Sequence, residues 1–152
     1  MSEIVVRVFD CHVFHKIGEN LEFLMLKRSE NRIYPGIWQC VTGKIISGEA
    51  VHAAAVRELN EETGLTPHKM WTVDRVSAFY DAENDQMNLL PIFGIEVITK
   101  RVILSEEHTD YEWVDYEEGI KRLLWKMQKK GMIELKEMLE NDDDRLKFSR
   151  II

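Results

Sequence analysis

The chain opens on a run rich in Val, Ile and Phe over residues 4–14, a composition that suits a buried central strand. Gly18 lies in a polar turn over 16–20, and residues 21–27 return as a second strand. A polar loop over 29–36 closes on Pro35-Gly36, and residues 38–42 read as a short strand ending at Gly43. Over 49–63 the apolar spacing becomes that of a helix. Ser47 or Gly48 serves as its N-cap, Gly64 as its stop, and Pro67 blocks any restart. Residues 70–80 and 87–99 predict a strand pair around the polar turn 81–85, and 111–114 a last short strand. Residues 116–129 and 132–140 close the chain as helices broken at Gly131. Leu123, Leu124, Met127, Leu135, Met138 and Leu139 recur at helical spacing and are expected in the core. No repeat or linker interrupts this order. The expectation is an α/β (α+β) mixed sheet with helices around it, as one domain over 1–152.

The helix over 49–63 carries an oddity. On a wheel of ~100° per residue, Val51, Ala54, Ala55, Glu58, Glu61 and Glu62 fall within an arc of roughly 120°. The first half of this stripe is small and apolar and should pack; the second half is three carboxylates. A packing face has no structural reason to turn acidic halfway along. In a partly enclosed site, two carboxylates ~6 Å apart repel by roughly 3 kcal/mol at an effective dielectric near 20, against about 0.2–0.5 kcal/mol on a wet helix face. Only Arg57 is placed to neutralise one of them, Glu61 at i+4, so the cluster needs a cation or a raised pKa. Hard oxygen ligands on one face suit Mg²⁺ or Mn²⁺. The residues alone leave a solvated acidic helix open as the alternative, in a chain with 27 acidic residues.

Composition narrows the function classes. The length, 152 residues, supports a real core without staples, and 45% apolar with 31% charged residues describes a soluble protein. Cys11 and Cys40 sit singly in apolar runs and are expected as buried thiols rather than a disulfide. Arg7 and Asp10 interrupt the apolar region a signal peptide needs, and no stretch approaches the roughly 20 apolar residues that span a bilayer. A cytoplasmic protein with no membrane partner is expected. The net charge of −7 argues against a nucleic-acid polymer as partner. It does not exclude a small anionic substrate, because metal ions can supply positive charge.

Residues 43–65, GKIISGEAVHAAAVRELNEETGL, resemble the Nudix (MutT-like) box, G-x5-E-x7-R-E-U-x-E-E-x-G-U with U apolar, at every fixed position. Those positions are Gly43, Glu49, Arg57, Glu58, Leu59, Glu61, Glu62, Gly64 and Leu65. The chance of this pattern in a random chain of this length is below about 10⁻⁷. The lead-in 38–43 and Glu112-Trp113-Val114 look like the same family. The resemblance implies a Nudix fold, a mixed, curled sheet sandwiched between helices, with the box as loop–helix–loop. It implies Glu58, Glu61 and Glu62 as ligands of Mg²⁺ (or Mn²⁺), with Gly43 letting the backbone approach metal or phosphate. Arg57 then holds one carboxylate in place and Glu49 supports the arrangement through ionic contacts. The family's general base is a box glutamate or a carboxylate on a later loop, here Glu106 or Glu107, with His108 beside them as a hydrogen-bonding residue.

The implied reaction is hydrolysis of a diphosphate linkage in a small, nucleotide-like substrate. Arg28, Arg32 and Lys44 are cations that can reach phosphates, and Trp38 and Tyr80 are aromatics that can stack on a base. Residues 38–43 and 107–113 look similar to the dihydroneopterin triphosphate and dATP pyrophosphohydrolase branch, which favours a nucleoside or pterin triphosphate split to monophosphate and pyrophosphate. Tyr80 makes a dinucleoside polyphosphate the nearest rival. ADP-ribose is disfavoured by the missing proline, and mRNA decapping by the lack of a basic stretch. A non-catalytic nucleotide sensor is the alternative of another class, set against an intact box. The sequence leaves open whether the chain forms a homodimer.

Overall fold

A strand buried on both faces organises the computed structural model, which describes residues 1–141 and 144–152. In β2 (Val8–Ile17), Phe9, Cys11 and Val13 point to one face, while Asp10, His12 and Phe14 point to the other; all six are buried. On the first face they meet Ala54, Ala55 and Leu59 of α1 (Val51–Thr63). On the second, Phe14 meets Met132, Leu135 and Met138 of α3 (Lys126–Glu140). The sheet is thus covered by helices on both sides, and burying a side chain such as Leu59 contributes about 2 kcal/mol by transfer alone.

The sheet is mixed, as expected. β2 runs parallel to β7 (Gln86–Glu96) and antiparallel to β3 (Asn20–Arg28) and β5 (Val41–Lys44). β6 (Lys69–Asp81) and β1 (Glu3–Val5) flank β7, and β8 (His108–Val114) flanks β3. The arrangement of β4 (Trp38–Gln39) and β5 matters most. β4 pairs with Leu26 and Lys27 of β3, and two residues later β5 pairs with residues 8–11 of β2. Beyond their shared hairpin, β2 and β3 therefore diverge, and residues 38–44 fill the gap. The short predicted strand over 38–42 is really two, because the chain changes partner at Cys40. Cys11 and Cys40 are buried and unbridged, as expected.

Several boundaries differ from the sequence reading, each for a local reason. The opening strand is interrupted before Val8, where the chain leaves its pairing with Gln86–Asn88 and enters the sheet centre. Neither Ser47 nor Gly48 caps α1; the cap position is Ala50, without a side-chain hydrogen bond. Gly48 instead takes a left-handed turn (φ 83°), and Glu49 closes it by accepting from the Ile46 amide. Gly64 ends α1 as expected, with φ 73°. The closing helices break over 123–125 rather than at Gly131. α2 (Tyr116–Arg122) stops where Leu123 is drawn inward beside Trp38, and α3 runs straight through Gly131. Leu124 is exposed, contrary to expectation, and Met127 is half-buried. The last residues, beyond α4 (Asp144–Phe148), lie along β6, with the Ile151 amide donating to Met70.

Gly131 is explained by proximity. A Cβ there would stand 2.9 Å from His12 Nε2 and 3.2 Å from Ile92. On an open helix face Gly→Ala gains about 1 kcal/mol. Here overpacking of about 1–3 kcal/mol opposes that gain. Gly131→Ala should therefore lower the urea midpoint; a rise would mean that α3 does not press on β2 at this point.

Candidate functional site

Box residues meet where α1 crosses β5. A Cβ on Gly43 would lie 2.5 Å from Glu58 Cγ, so only glycine lets the strand pass beneath this glutamate. Arg57 does more than its spacing suggested. It binds Glu49 through two bonds of 2.9 and 3.0 Å, Glu58 at 2.8 Å, Glu61 at 3.2 Å and the Lys44 carbonyl at 3.0 Å. One guanidinium thus fastens the loop before α1, the end of β5 and two acids of the helix. Glu49 and Arg57 accordingly shift away from each other in pKa, Glu49 downward and Arg57 upward, each chiefly through their mutual hydrogen bonds.

The three helix acids are not equivalent. Glu62 is 3% exposed, the Glu58 side chain 14% and the Glu61 side chain 58%, so the inward stripe ends at a rim. Burial raises the Glu58 pKa, and its bond to Arg57 opposes the rise. Burial pushes Glu62 well above the carboxylate range, and the nearby Glu107 and Glu58 add to the effect. Oε2 of Glu62 has no hydrogen-bond partner.

Glu107 is the acid that reaches this point; Glu106 is exposed. The loop that delivers it is tied to the end of α1, through Ile103 N–H to Thr63 and Ser105 N–H to Glu62, and to β3, through Ser29 N–H to the Glu107 carbonyl at 3.0 Å. Ligand atoms of Glu62, Glu107 and His108 lie within 4.8 Å of one another. Two carboxylates at that spacing repel by about 3 kcal/mol at an effective dielectric near 20. A proton or a cation between them removes the repulsion, and the orphaned Glu62 oxygen fits either. The carboxylate oxygens suit a hard divalent ion such as Mg²⁺ or Mn²⁺. His108 is buried and bonds Gln39 through Nε2 at 3.0 Å, and burial holds it neutral, with its pKa lowered to about 4.

A cavity of about 570 Å³ opens beside this cluster. Glu58, Glu107, Gly43, Lys44, Arg28 and Arg32 are on its wall, and Phe79, Leu90, Tyr34, Trp125 and Met127 supply apolar surface. Trp38 and Tyr80 are not on the wall. Trp38 sits under the Arg122 guanidinium, and Tyr80 is exposed and donates to Asp85.

The sequence reading passed over two wall residues, Asp10 and Gln128. Both are buried, and Gln128 donates to the Asp10 carboxylate. The signal was available: an acid inside an apolar strand is rarely accidental. Burial pushes Asp10 from 3.8 up to about 7, with the Gln128 bond opposing. His12, on the same strand face, is pushed down to about 3 by burial and is neutral. Between pH 3.8 and about 7 the folded protein keeps a proton on Asp10 that the unfolded chain has lost. Stability therefore falls as pH rises through that window, by about 4 kcal/mol in all. Asp10→Asn should raise the melting temperature at pH 8 and lose this advantage towards pH 4. A difference independent of pH would contradict the burial of a charged Asp10.

Among the described residues no helix is long and apolar enough to cross a membrane. A family model described as NUDIX domain matches residues 6–136. The nucleoside triphosphatase NudI of Escherichia coli is 30% identical over 105 residues, covering 63% of this chain and 74% of that protein. An octanoyltransferase of Myxococcus xanthus is 35% identical over 109 residues, covering 70% of this chain, but the chain spans only 30% of that protein's length. Among solved structures, a Listeria monocytogenes protein assigned as a NUDIX hydrolase superposes with a TM-score of 0.76 at 28% identity, covering 90% of this chain and 95% of that one.

Proposed function

This chain belongs to the Nudix family, and from there we propose that it hydrolyses a diphosphate linkage in a nucleoside or pterin triphosphate, releasing the monophosphate and pyrophosphate. The observation that carries this reading is the pair of facing acids, Glu62 and Glu107, set beside a cavity with Arg28, Arg32 and Lys44 on its wall. Glu58, Glu61 and Glu62 would hold Mg²⁺ or Mn²⁺, with Gly43 giving the close approach. Bound there, a divalent ion offsets the charge of the bridging phosphates and acidifies a coordinated water.

The chain's own residues do the rest. Arg28, Arg32 and Lys44 bind phosphate oxygens and hold the chain of phosphates in line. Glu107 takes the proton of the attacking water as its oxygen bonds to phosphorus and the bridging P–O bond breaks. Arg57 is a positioning residue: it touches no substrate but fixes Glu58 and anchors the loop through Glu49.

The test is a panel of nucleoside and pterin triphosphates with Mg²⁺, following pyrophosphate, phosphate and monophosphate. Glu62→Gln should lower kcat by about 100-fold or more, the scale of losing a group that organises transition-state charge. Arg57→Ala should lower kcat by at least about 10-fold while the protein remains folded by circular dichroism. Micromolar nucleotide binding without products would make the chain a sensor rather than a hydrolase, and near-normal Arg57→Ala activity would refute the positioning role.

A further inference from the structure

Asp10 and Gln128 lie outside the carboxylate cluster, and nothing in the hydrolytic chemistry calls for them. Yet they line the same cavity while being 1% and 3% exposed. Above about pH 7, where Asp10 is ionised, its carboxylate only accepts hydrogen bonds, and the contact with Gln128 favours that state, so it uses the Gln128 amide nitrogen. Gln128 Oε1 is then the free end, and it has no partner. Asp10 Oδ2 has none either, and among the described residues no ion pair forms with Asp10. Two neighbouring residues thus each offer a buried, unmatched acceptor, a rare state in a folded chain unless a donor arrives from elsewhere. The neutral His12 beside them also has both ring nitrogens unpartnered. Phe79, Leu90, Trp125 and Met127 provide the apolar wall that an aromatic heterocycle requires.

We propose that Asp10 and Gln128 are specificity-determining residues that read a heterocycle presenting two adjacent donors, a ring N–H and a neighbouring amino group. This 2-amino-4-oxo edge is shared by guanine and pterins. Adenine and cytosine place a ring lone pair beside their amino group and would set acceptor against acceptor. Hypoxanthine keeps the ring N–H and lacks only the amino group. The inference rests on the reading of the site as a triphosphate hydrolase and names the organic group it takes.

The experiment uses the full chain with Mg²⁺ and compares GTP, ITP, ATP and 7,8-dihydroneopterin triphosphate by kcat/KM. Binding of the α,β-imido analogues of GTP and ITP, in which nitrogen replaces the scissile bridging oxygen, is measured alongside by calorimetry. The expected preference for GTP over ITP is about 10- to 100-fold in both readouts, the scale of one hydrogen bond to a charged acceptor. Asp10→Asn and Gln128→Leu should each reduce it to about 3-fold or less. The pterin arm tells the two sources apart, and faster turnover of either 2-amino compound supports the edge. A wild-type ratio near one overturns the proposal, as does a ratio that survives both substitutions. Guanine-selective binding without turnover would uphold the edge and sink the hydrolase reading, whereas turnover without selectivity would do the reverse. Refusal of both 2-amino compounds overturns it outright.

Discussion

Two carboxylates that face each other inside a protein cannot both carry charge unless something positive stands between them. Glu62 and Glu107 are so placed, with ligand atoms within 4.8 Å and one oxygen of Glu62 unpartnered. Much of the local architecture serves to hold them there. α1 brings Glu62 down against the sheet, and the loop over 103–107 is stitched to the end of that helix and to β3. Those backbone bonds hold the two residues' main chains close, so the acids cannot separate by moving apart as segments. Such strain is tolerated at functional sites and avoided elsewhere.

A second constraint lies under the first. The divergence of β2 from β3, filled by residues 38–44, puts Gly43 under Glu58 and opens a cavity at the edge of the sheet. Its wall combines the charged side chains of Glu58, Glu107, Arg28, Arg32 and Lys44 with apolar surface and the buried acceptors of Asp10 and Gln128, the mixture that the proposed substrate calls for.

The sequence made the acidic cluster legible because helical geometry converts spacing directly into a shared face. Glu58, Glu61 and Glu62 could be grouped from numbers alone, and the order of strands and helices followed from composition and turn residues. What it could not convey was depth. Glu61 shares the arc with Glu62 but lies at the rim, since burial depends on how the sheet curves beneath the helix. The choice between Glu106 and Glu107 depended on loop bonds to Ser29 and Glu62 that have no sequence signature. Gly131 looked like a helix stop because glycine usually is one; here its missing side chain makes room for His12. Asp10 was hidden in an otherwise apolar strand, and its partner Gln128 is more than a hundred residues away in the chain.

The central claim is that Glu62, with Glu58 and Glu61, forms a seat for a divalent ion in front of Glu107. Mn²⁺ titration followed by electron paramagnetic resonance tests it without reference to substrate, because protein-bound ion leaves the free-ion signal. Wild-type protein should remove Mn²⁺ saturably, with Mg²⁺ competing, and Glu62→Gln should weaken that binding by at least about 10-fold. Equal binding by wild type and Glu62→Gln, or no binding by wild type at millimolar Mn²⁺, would contradict it.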